Sequence, residues 1–192
     1  MPGPTPAAGN GASPAGHGRS ATVEPVFVLG IDPGLTRCGY GAVRRTATGL
    51  AAVAAGVLTT APTTPLPQRL AELQAGLRAL LVSLEPDVVA VERVFFQANV
   101  RTAMSVGQAS GLALAEAVAA GCVVAQYTPN EVKVAVTGYG AAPKEQVQRM
   151  VQAQLALVER PRPPDAADAL ALALCHLAVA PLRARVDRAA SR

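Results

Sequence analysis

The chain has little of what builds covalent cross-links or zinc sites. Its 192 residues include only three cysteines, Cys38, Cys122 and Cys175, and none of them belongs to a CxxC pair. An odd number of widely separated cysteines argues against a disulfide framework and against a zinc site. A reducing cytoplasm is the simplest setting for such a chain.

Long apolar runs are also missing. Although 51% of the residues are apolar, no uninterrupted run reaches the roughly 18 residues that would suggest a membrane span. Residues 1–25 contain ten Pro and Gly residues and no apolar core of a secretory signal, so we expect a disordered extension. Residues 181–192 are rich in arginine and are predicted to form a flexible basic tail.

Lysine is scarce beside arginine. The net charge is +4, which suits a polyanionic partner but is also typical of an ordinary solvated surface. Only two of the 17 basic residues are lysines, Lys133 and Lys144, and they lie within twelve residues of each other. Their proximity makes them candidates for a shared task.

The apolar patterning predicts one mixed α/β domain over residues 26–180. A run over 26–31 ends at the turn sequence Asp32-Pro33-Gly34, as a strand followed by a turn does. Further strands are expected over 38–43, 50–58, 88–91 and 122–127, and helices over 68–84, 101–120, after 128, over 143–157 and from 165. Three consecutive strands followed by alternating helices and strands favour a mixed sheet.

The first and fourth strands are natural parallel neighbours, because a helical crossover joins them. Parallel strands end at the same edge of the sheet, so Asp32 and Glu92 should lie side by side there. Ligand sites of open α/β sheets form at this edge.

Two further acids, Asp165 and Asp168, are three residues apart and share one helical face among alanines and leucines. Such carboxylates repel each other and resist burial unless a cation separates them. A capping residue followed by a first-turn acid explains the pair equally well. Taken singly, Asp32 could belong to an ordinary turn, and Glu92 could be a surface charge paired with Arg93.

The four carboxylates together indicate a metal site. Hard oxygen ligands suit Mg²⁺, and two such ions can clamp a phosphodiester. The sequence therefore predicts a magnesium-dependent DNA endonuclease with one or two Mg²⁺ per subunit and Mn²⁺ as a substitute. Its catalytic and metal-binding residues would be Asp32, Glu92, Asp165 and Asp168.

Several segments, in order and with preserved spacing from about 26 to 180, resemble the RuvC family of Holliday-junction resolvases. They are VLGIDPG at 28–34 with GYG at 39–41, VERVF at 91–95, SVGQASG at 105–111, Val132-Lys133 with VTG at 136–138, KEQV at 144–147, and PDAADALA at 164–171 continuing to Cys175-His176. The resemblance implies a ribonuclease-H-like fold with a five-stranded mixed sheet flanked by helices. By position, the four acids match the family's catalytic residues; some relatives carry a histidine at one of the last positions, where this chain keeps aspartate.

The resemblance also implies function and partners. It implies a bacterial, cytoplasmic homodimer that binds a four-way junction and nicks two strands of like polarity symmetrically during recombination and repair. Cooperation with the RuvA and RuvB branch-migration proteins is implied as well. We take the long helix around Gly107 and Gly111 as the candidate dimer face.

DNA contacts follow from the same resemblance. Phe95 matches a wedge that stacks on an unpaired base, whereas Phe96 is assigned to packing. Lys133 and Lys144 match basic residues near the cleaved strand, although a solvated-surface role stays open for each. Weaker candidates on charge alone are Arg93, Arg101 and Arg149, and His176 is expected to be packed rather than to bind metal.

Three other functions also fit parts of this sequence. A ribonuclease H has a similar acid cluster, but the phenylalanine and the late Asp-x-x-Asp helix favour the resolvase. An actin-like ATPase would also use the turn at 32–36, yet it needs a second domain that 192 residues do not supply. A non-catalytic junction-binding module would tolerate loss of the acids, and all four are present.

Overall fold

The computed structural model describes residues 26–93 and 100–190. Within these ranges the elements are β1 (Phe27–Asp32), β2 (Arg37–Thr46), β3 (Gly49–Thr59), α1 (Leu66–Leu84), β4 (Val88–Glu92), α2 (Val100–Ala119), β5 (Val123–Tyr127), α3 (Pro129–Thr137), α4 (Lys144–Gln154) and α5 (Pro164–Ala190). The expected elements are all present. Several boundaries differ from the expected ones by one to three residues, and α5 continues to Ala190, through most of the segment predicted as a flexible basic tail.

The strands form one five-stranded mixed sheet in the order β3-β2-β1-β4-β5. β1 pairs antiparallel with β2 and parallel with β4, and β4 pairs parallel with β5. The predicted mixed sheet and the predicted parallel pairing of the first and fourth strands are confirmed. Because Ile31 is paired with Val91, the next residues, Asp32 and Glu92, end adjacent strands.

Helices cover both faces of the sheet, as the alternation of side chains along β1 requires. Leu29 and Ile31 pack on one side with Leu73 and Leu77 of α1 and with alanines of α2. Val28 packs on the other side, in the core formed with α3, α4 and α5. Both faces of the central strands are therefore buried, and polar chemistry is confined to the ends of the strands.

The last helix lies unusually close to the sheet. Gly30, Gly39 and Gly41 face it, and a methyl group at any of them would overlap the backbone of α5. At Gly39 the overlapping atom is the carbonyl oxygen of Asp165. The small strand residues thus bring the start of α5 to the end of β1.

One helix, α5, resembles a membrane span in its length and composition. Over Pro164–Arg183, α5 is long and apolar enough to cross a membrane, although Asp165 and Asp168 interrupt its apolar run. However, 61% of its most apolar window is buried inside the fold. Residues 166–177 pack against the sheet, apart from the half-buried Asp168, as those of a core helix do.

Candidate active site

The two strand-end acids form the buried half of the site. Asp32 ends β1 and Glu92 ends β4, on neighbouring parallel strands that lie about 5 Å apart. Both side chains are only partly exposed. The predicted placement of Asp32 beside Glu92 at the carboxyl edge of the sheet is therefore confirmed.

Their protonation shows how much negative charge converges here. Burial, followed by the charges of Glu92, Asp168 and Asp165, raises the pKa of Asp32 to about 7, against a weaker lowering by Lys144. Burial and the charge of Asp168 also raise the pKa of Glu92. All four predicted acids therefore lie within electrostatic reach of one another.

The helix acids face the same region, and each is held by a cation. Arg37 donates from Nε and Nη2 to Oδ2 of Asp165, at 3.0 and 2.8 Å. Lys144 donates from Nζ to Oδ2 of Asp168 at 2.5 Å. Side-chain exposure is 27% for Asp165 and 25% for Asp168, so both pairs are open to solvent on one side.

These ion pairs shift the pKa values of Asp165 and Lys144. Burial raises the pKa of Asp165, but the hydrogen bond from Arg37 and the positive charges nearby outweigh it, so the pKa is lower than usual. Burial lowers the pKa of Lys144, but its contact with Asp168 and the other acids raises it on balance. Asp165 and Lys144 are therefore both charged at neutral pH.

The donor set suits a divalent cation, but the side chains do not yet converge on one point. Within residues 26–93 and 100–190, no three His, Cys, Asp or Glu side chains come close enough together to hold a metal ion. Asp165 and Asp168 instead direct an oxygen to Arg37 and Lys144. Mg²⁺ and Mn²⁺ prefer hard carboxylate oxygens, and either ion would stabilise this partly buried cluster of like charges. The residues therefore fit such an ion if these two carboxylates exchange their partners.

A cavity of about 390 Å³ opens beside the acids. It is lined by Glu92 and Asp168 at one side and by Lys133 and Lys144, with apolar residues of α3 and α5 between them. A capping box starts α3, in which Thr128 accepts from the backbone N–H of Glu131 and the Glu131 side chain accepts from the backbone N–H of Thr128. Both lysines thus lie next to the acids, and their role in DNA binding stays a prediction.

The other candidate residues lie elsewhere or outside the described ranges. Phe95 and Phe96 fall within 94–99, and the side chain of Arg101 is likewise outside the description. His176 is buried, and its Nδ1 is hydrogen-bonded to the hydroxyl of Tyr127 at 2.9 Å. Burial lowers the pKa of His176, which keeps the ring neutral at pH 7. The prediction of a packed histidine is confirmed.

Sequence reasoning missed Arg37. It begins β2, and the antiparallel register pairs Asp32 with Gly39, two residues further on. The only sequence signal was its position five residues after Asp32. That position shows nothing about α5, which is more than 120 residues away along the chain and supplies the partner Asp165.

Comparison with known proteins decides the family. Residues 28–176 match the family described as crossover junction endodeoxyribonuclease RuvC. The chain belongs to the RuvC family. A RuvC of Moorella thermoacetica is 50% identical over 167 residues, which is 87% of this chain and all of the relative. A RuvC of Chloroflexus aggregans is 52% identical over 153 residues, which is 80% of this chain and 93% of the relative.

A solved RuvC structure has the same architecture. Thermus thermophilus RuvC in complex with Holliday junction substrate matches with a TM-score of 0.76 and 40% sequence identity, over 81% of this chain and 94% of that one. The ribonuclease-H-like fold expected from the resemblance is therefore confirmed. The motifs quoted above fall almost entirely within the matched range, so the family resemblance seen in the sequence is confirmed as well.

Proposed function

We propose that this RuvC family member is a divalent-metal-dependent endonuclease that resolves four-way DNA junctions. The observation that carries the proposal is the position of Asp32 at the carboxyl edge of the sheet, where burial and the charges of Glu92, Asp168 and Asp165 raise its pKa to about 7. Such a cluster is costly without a cation. The junction substrate is supported by the Thermus thermophilus relative, which was solved in complex with a Holliday junction.

The residues that would hold the cation are Asp32, Glu92, Asp165 and Asp168, with Mg²⁺ as the physiological ion and Mn²⁺ as a substitute. When bound, the cation supplies the positive charge that activates a water molecule and stabilises the leaving 3′ oxygen. The strand-end acids are fixed by the sheet, whereas the helix acids must turn from Arg37 and Lys144. The two strand-end carboxylates are therefore already in place for a cation, whereas the two helix carboxylates must reorient to bind it.

The cavity beside the acids gives the DNA strand a place. Lys133 and Lys144 line it together with Glu92 and Asp168, so a phosphate held by the lysines would lie next to the acids. Phe95 follows Glu92 by three residues, and we assign it to stacking on an unpaired base at the crossover. These contacts hold the scissile strand, and none of them reads base identity.

We also propose a homodimer that uses the exposed face of α2. Gly107 and Gly111 have open space where a side chain would begin, and Met104 and Val118 on this helix are 60% and 65% exposed. Small residues surrounded by apolar ones allow two helices to approach closely. A two-fold symmetric dimer also suits symmetric nicking of two strands of like polarity. We further propose that this dimer acts in a bacterial cytoplasm together with RuvA and RuvB.

The decisive experiment is cleavage of an end-labelled four-way junction in Mg²⁺. Linear duplex and an RNA–DNA hybrid of the same sequence serve as matched substrates, and Mn²⁺ and EDTA replace Mg²⁺ in parallel reactions. Paired symmetric nicks in the junction alone, lost in EDTA, are expected. Cleavage of the hybrid instead would indicate a ribonuclease H, and tight binding without cleavage would indicate a binding module.

The dimer proposal has a separate test. Gly111→Arg places a charged side chain on the exposed face of α2, where its Cβ atom has no neighbour within 4 Å among the described residues. We expect sedimentation to report a monomer for this variant and a dimer for the unmodified protein. An unchanged dimer would move the interface away from α2.

A further inference from the structure

Arg37 contacts the acid cluster from a side chain that is about half exposed. Its side chain is 47% exposed, against 27% for its partner Asp165. Both Nε and Nη2 donate to one atom, Oδ2 of Asp165. Because β2 begins at Arg37 and runs antiparallel to β1, Arg37 lies at the same edge of the sheet as Asp32.

This contact occupies Oδ2, one of the two oxygens through which Asp165 could bind a cation. Because a guanidinium and a divalent ion repel each other, the two compete for Asp165. Ion pairs that are exposed to this extent contribute little net stability, because water competes with them. The contact is therefore strong enough to orient Asp165 and weak enough to be exchanged.

The guanidinium also has a second natural partner. Its planar fork matches phosphate as well as carboxylate, with two parallel hydrogen bonds. A strand placed for cleavage must bring a phosphate to the acids, within reach of the exposed side of Arg37. We propose that Arg37 is a positioning residue that neutralises Asp165 until a DNA phosphate takes over its guanidinium, so that metal loading of Asp165 is coupled to junction binding. This inference rests on the proposed function of the acids.

Coupling of this kind is reciprocal. If DNA frees Asp165 for the cation, the cation must tighten DNA binding by the same factor. Removing Arg37 should therefore do three things together. It should strengthen metal binding without DNA, weaken junction binding, and reduce the factor by which each ligand favours the other.

The first measurement is Mn²⁺ binding to the DNA-free protein by calorimetry. Arg37→Ala is expected to bind Mn²⁺ about three to ten times more tightly than the unmodified protein, given the modest energy of such a pair. The matched control is Arg78→Ala, which removes an equally short arginine–carboxylate pair with Glu116, at 2.8 Å, between α1 and α2. It should leave Mn²⁺ affinity unchanged. Equal or weaker Mn²⁺ binding by a folded Arg37→Ala variant would overturn the inference.

Arg37→Lys separates direct contact from the general effect of charge. Lysine keeps the positive charge but lacks the fork, so its Mn²⁺ affinity should fall between those of the alanine variant and the unmodified protein. A value identical to the unmodified protein would mean that charge alone matters, which contradicts direct exchange.

The second measurement is junction affinity with Ca²⁺ and with EDTA over a series of salt concentrations. For Arg37→Ala we expect weaker binding, a salt slope reduced by about one phosphate contact, and a smaller gain on adding Ca²⁺. Unchanged junction affinity beside tighter Mn²⁺ binding would overturn the exchange with DNA. Asp32→Asn serves as the reference: if Mn²⁺ binding does not depend on Asp32, the proposed metal site itself fails, whatever Arg37 does.

Discussion

The two halves of the acid cluster are built in opposite ways. Asp32 and Glu92, at the ends of β1 and β4, are partly buried and have raised pKa values. Asp165 and Asp168, on the first turns of α5, are more open, and each is paired with a cation. Among the residues that the structure describes, no cation pairs with the strand-end acids, and their negative charge is therefore the part of the cluster that a divalent ion would relieve.

This difference follows from how each half is supported. A strand end inside a sheet cannot move, so its carboxylates are held together despite their repulsion. The side chains at a helix start can change rotamer, and the positive end of the helix dipole favours their charge. The fold thus combines a rigid, strained half with an adjustable, neutralised half, and the following predictions test that division.

The largest expected effect is loss of cleavage in Asp32→Asn. The substitution removes charge from the rigid half, and we expect junction cleavage to fall about 10³-fold or more, since charge stabilisation of several kcal/mol is lost. Junction binding should be intact or tighter, because a negative charge disappears and no phosphate contact is removed. Gel cleavage and binding assays check both. Parallel loss of binding and cleavage in a folded variant would contradict this role.

The second prediction concerns the pH dependence of the metal-free protein. The folded-state pKa of Asp32, about 7, lies above its ordinary value of 3.8. The contribution of Asp32 to the free energy of unfolding is therefore fully present below about pH 4 and is lost as the pH rises through 7. We expect a loss of about 4 kcal/mol in EDTA, measured by urea unfolding between pH 4 and pH 8. Asp165, whose pKa is lowered, acts only below this window.

Two variants, one in each half of the acid cluster, serve as controls for that measurement. Asp32→Asn should flatten the decline and stabilise the protein at pH 8, whereas Asp165→Asn should not, since it leaves Arg37 without its carboxylate. Mg²⁺ at pH 8 should restore stability to the unmodified protein. A decline of equal slope in Asp32→Asn would place the titration elsewhere.

The third prediction tests how α5 delivers its acids. In Gly39→Ala the new methyl group meets the carbonyl oxygen of Asp165, so the first turn of α5 must shift. Cleavage should fall on the order of tenfold to 100-fold, as displacements near 1 Å cost in active sites. Gly76→Ala is the matched control, since its methyl group meets only the flexible side chain of Leu58 at 3.1 Å. Equal activity of the two variants would exclude this packing argument.

The smallest expected effect belongs to the cation of the adjustable half. Lys144→Ala removes both the partner of Asp168 and a phosphate ligand, and we expect about a tenfold loss of cleavage with a salt slope reduced by about one. Lys133→Ala should lose less, because Lys133 lines the cavity but forms no ion pair with an acid among the described residues. Lys144→Arg should recover most of the activity. Greater loss at Lys133 than at Lys144 would reverse this ranking.

Much of this molecule could be predicted from the sequence because the signals are local. Apolar periodicity located every strand and helix of the described ranges, and the crossover rule made β1 and β4 neighbours. That pairing alone placed Asp32 beside Glu92. The spacing of three residues placed Asp165 and Asp168 on one face of α5, and the motifs indicated the family.

Other features depend on contacts between distant segments and could not be predicted. The segment after residue 180 is rich in arginine and predicts a flexible basic tail, whereas in the structure α5 continues to Ala190. The ion pair between Arg37 and Asp165 joins residues 128 positions apart. It exists because the glycines of β1 and β2 let α5 approach the sheet, which no local pattern shows.

The sequence by itself therefore determined the order of elements and the family, and it predicted which four carboxylates form the site. Only the tertiary structure decided how they are divided, with two acids buried at rigid strand ends and two held by Arg37 and Lys144. The physical reason is that residue type and spacing specify local conformation, whereas burial and charge pairing depend on which surfaces meet when the chain closes on itself.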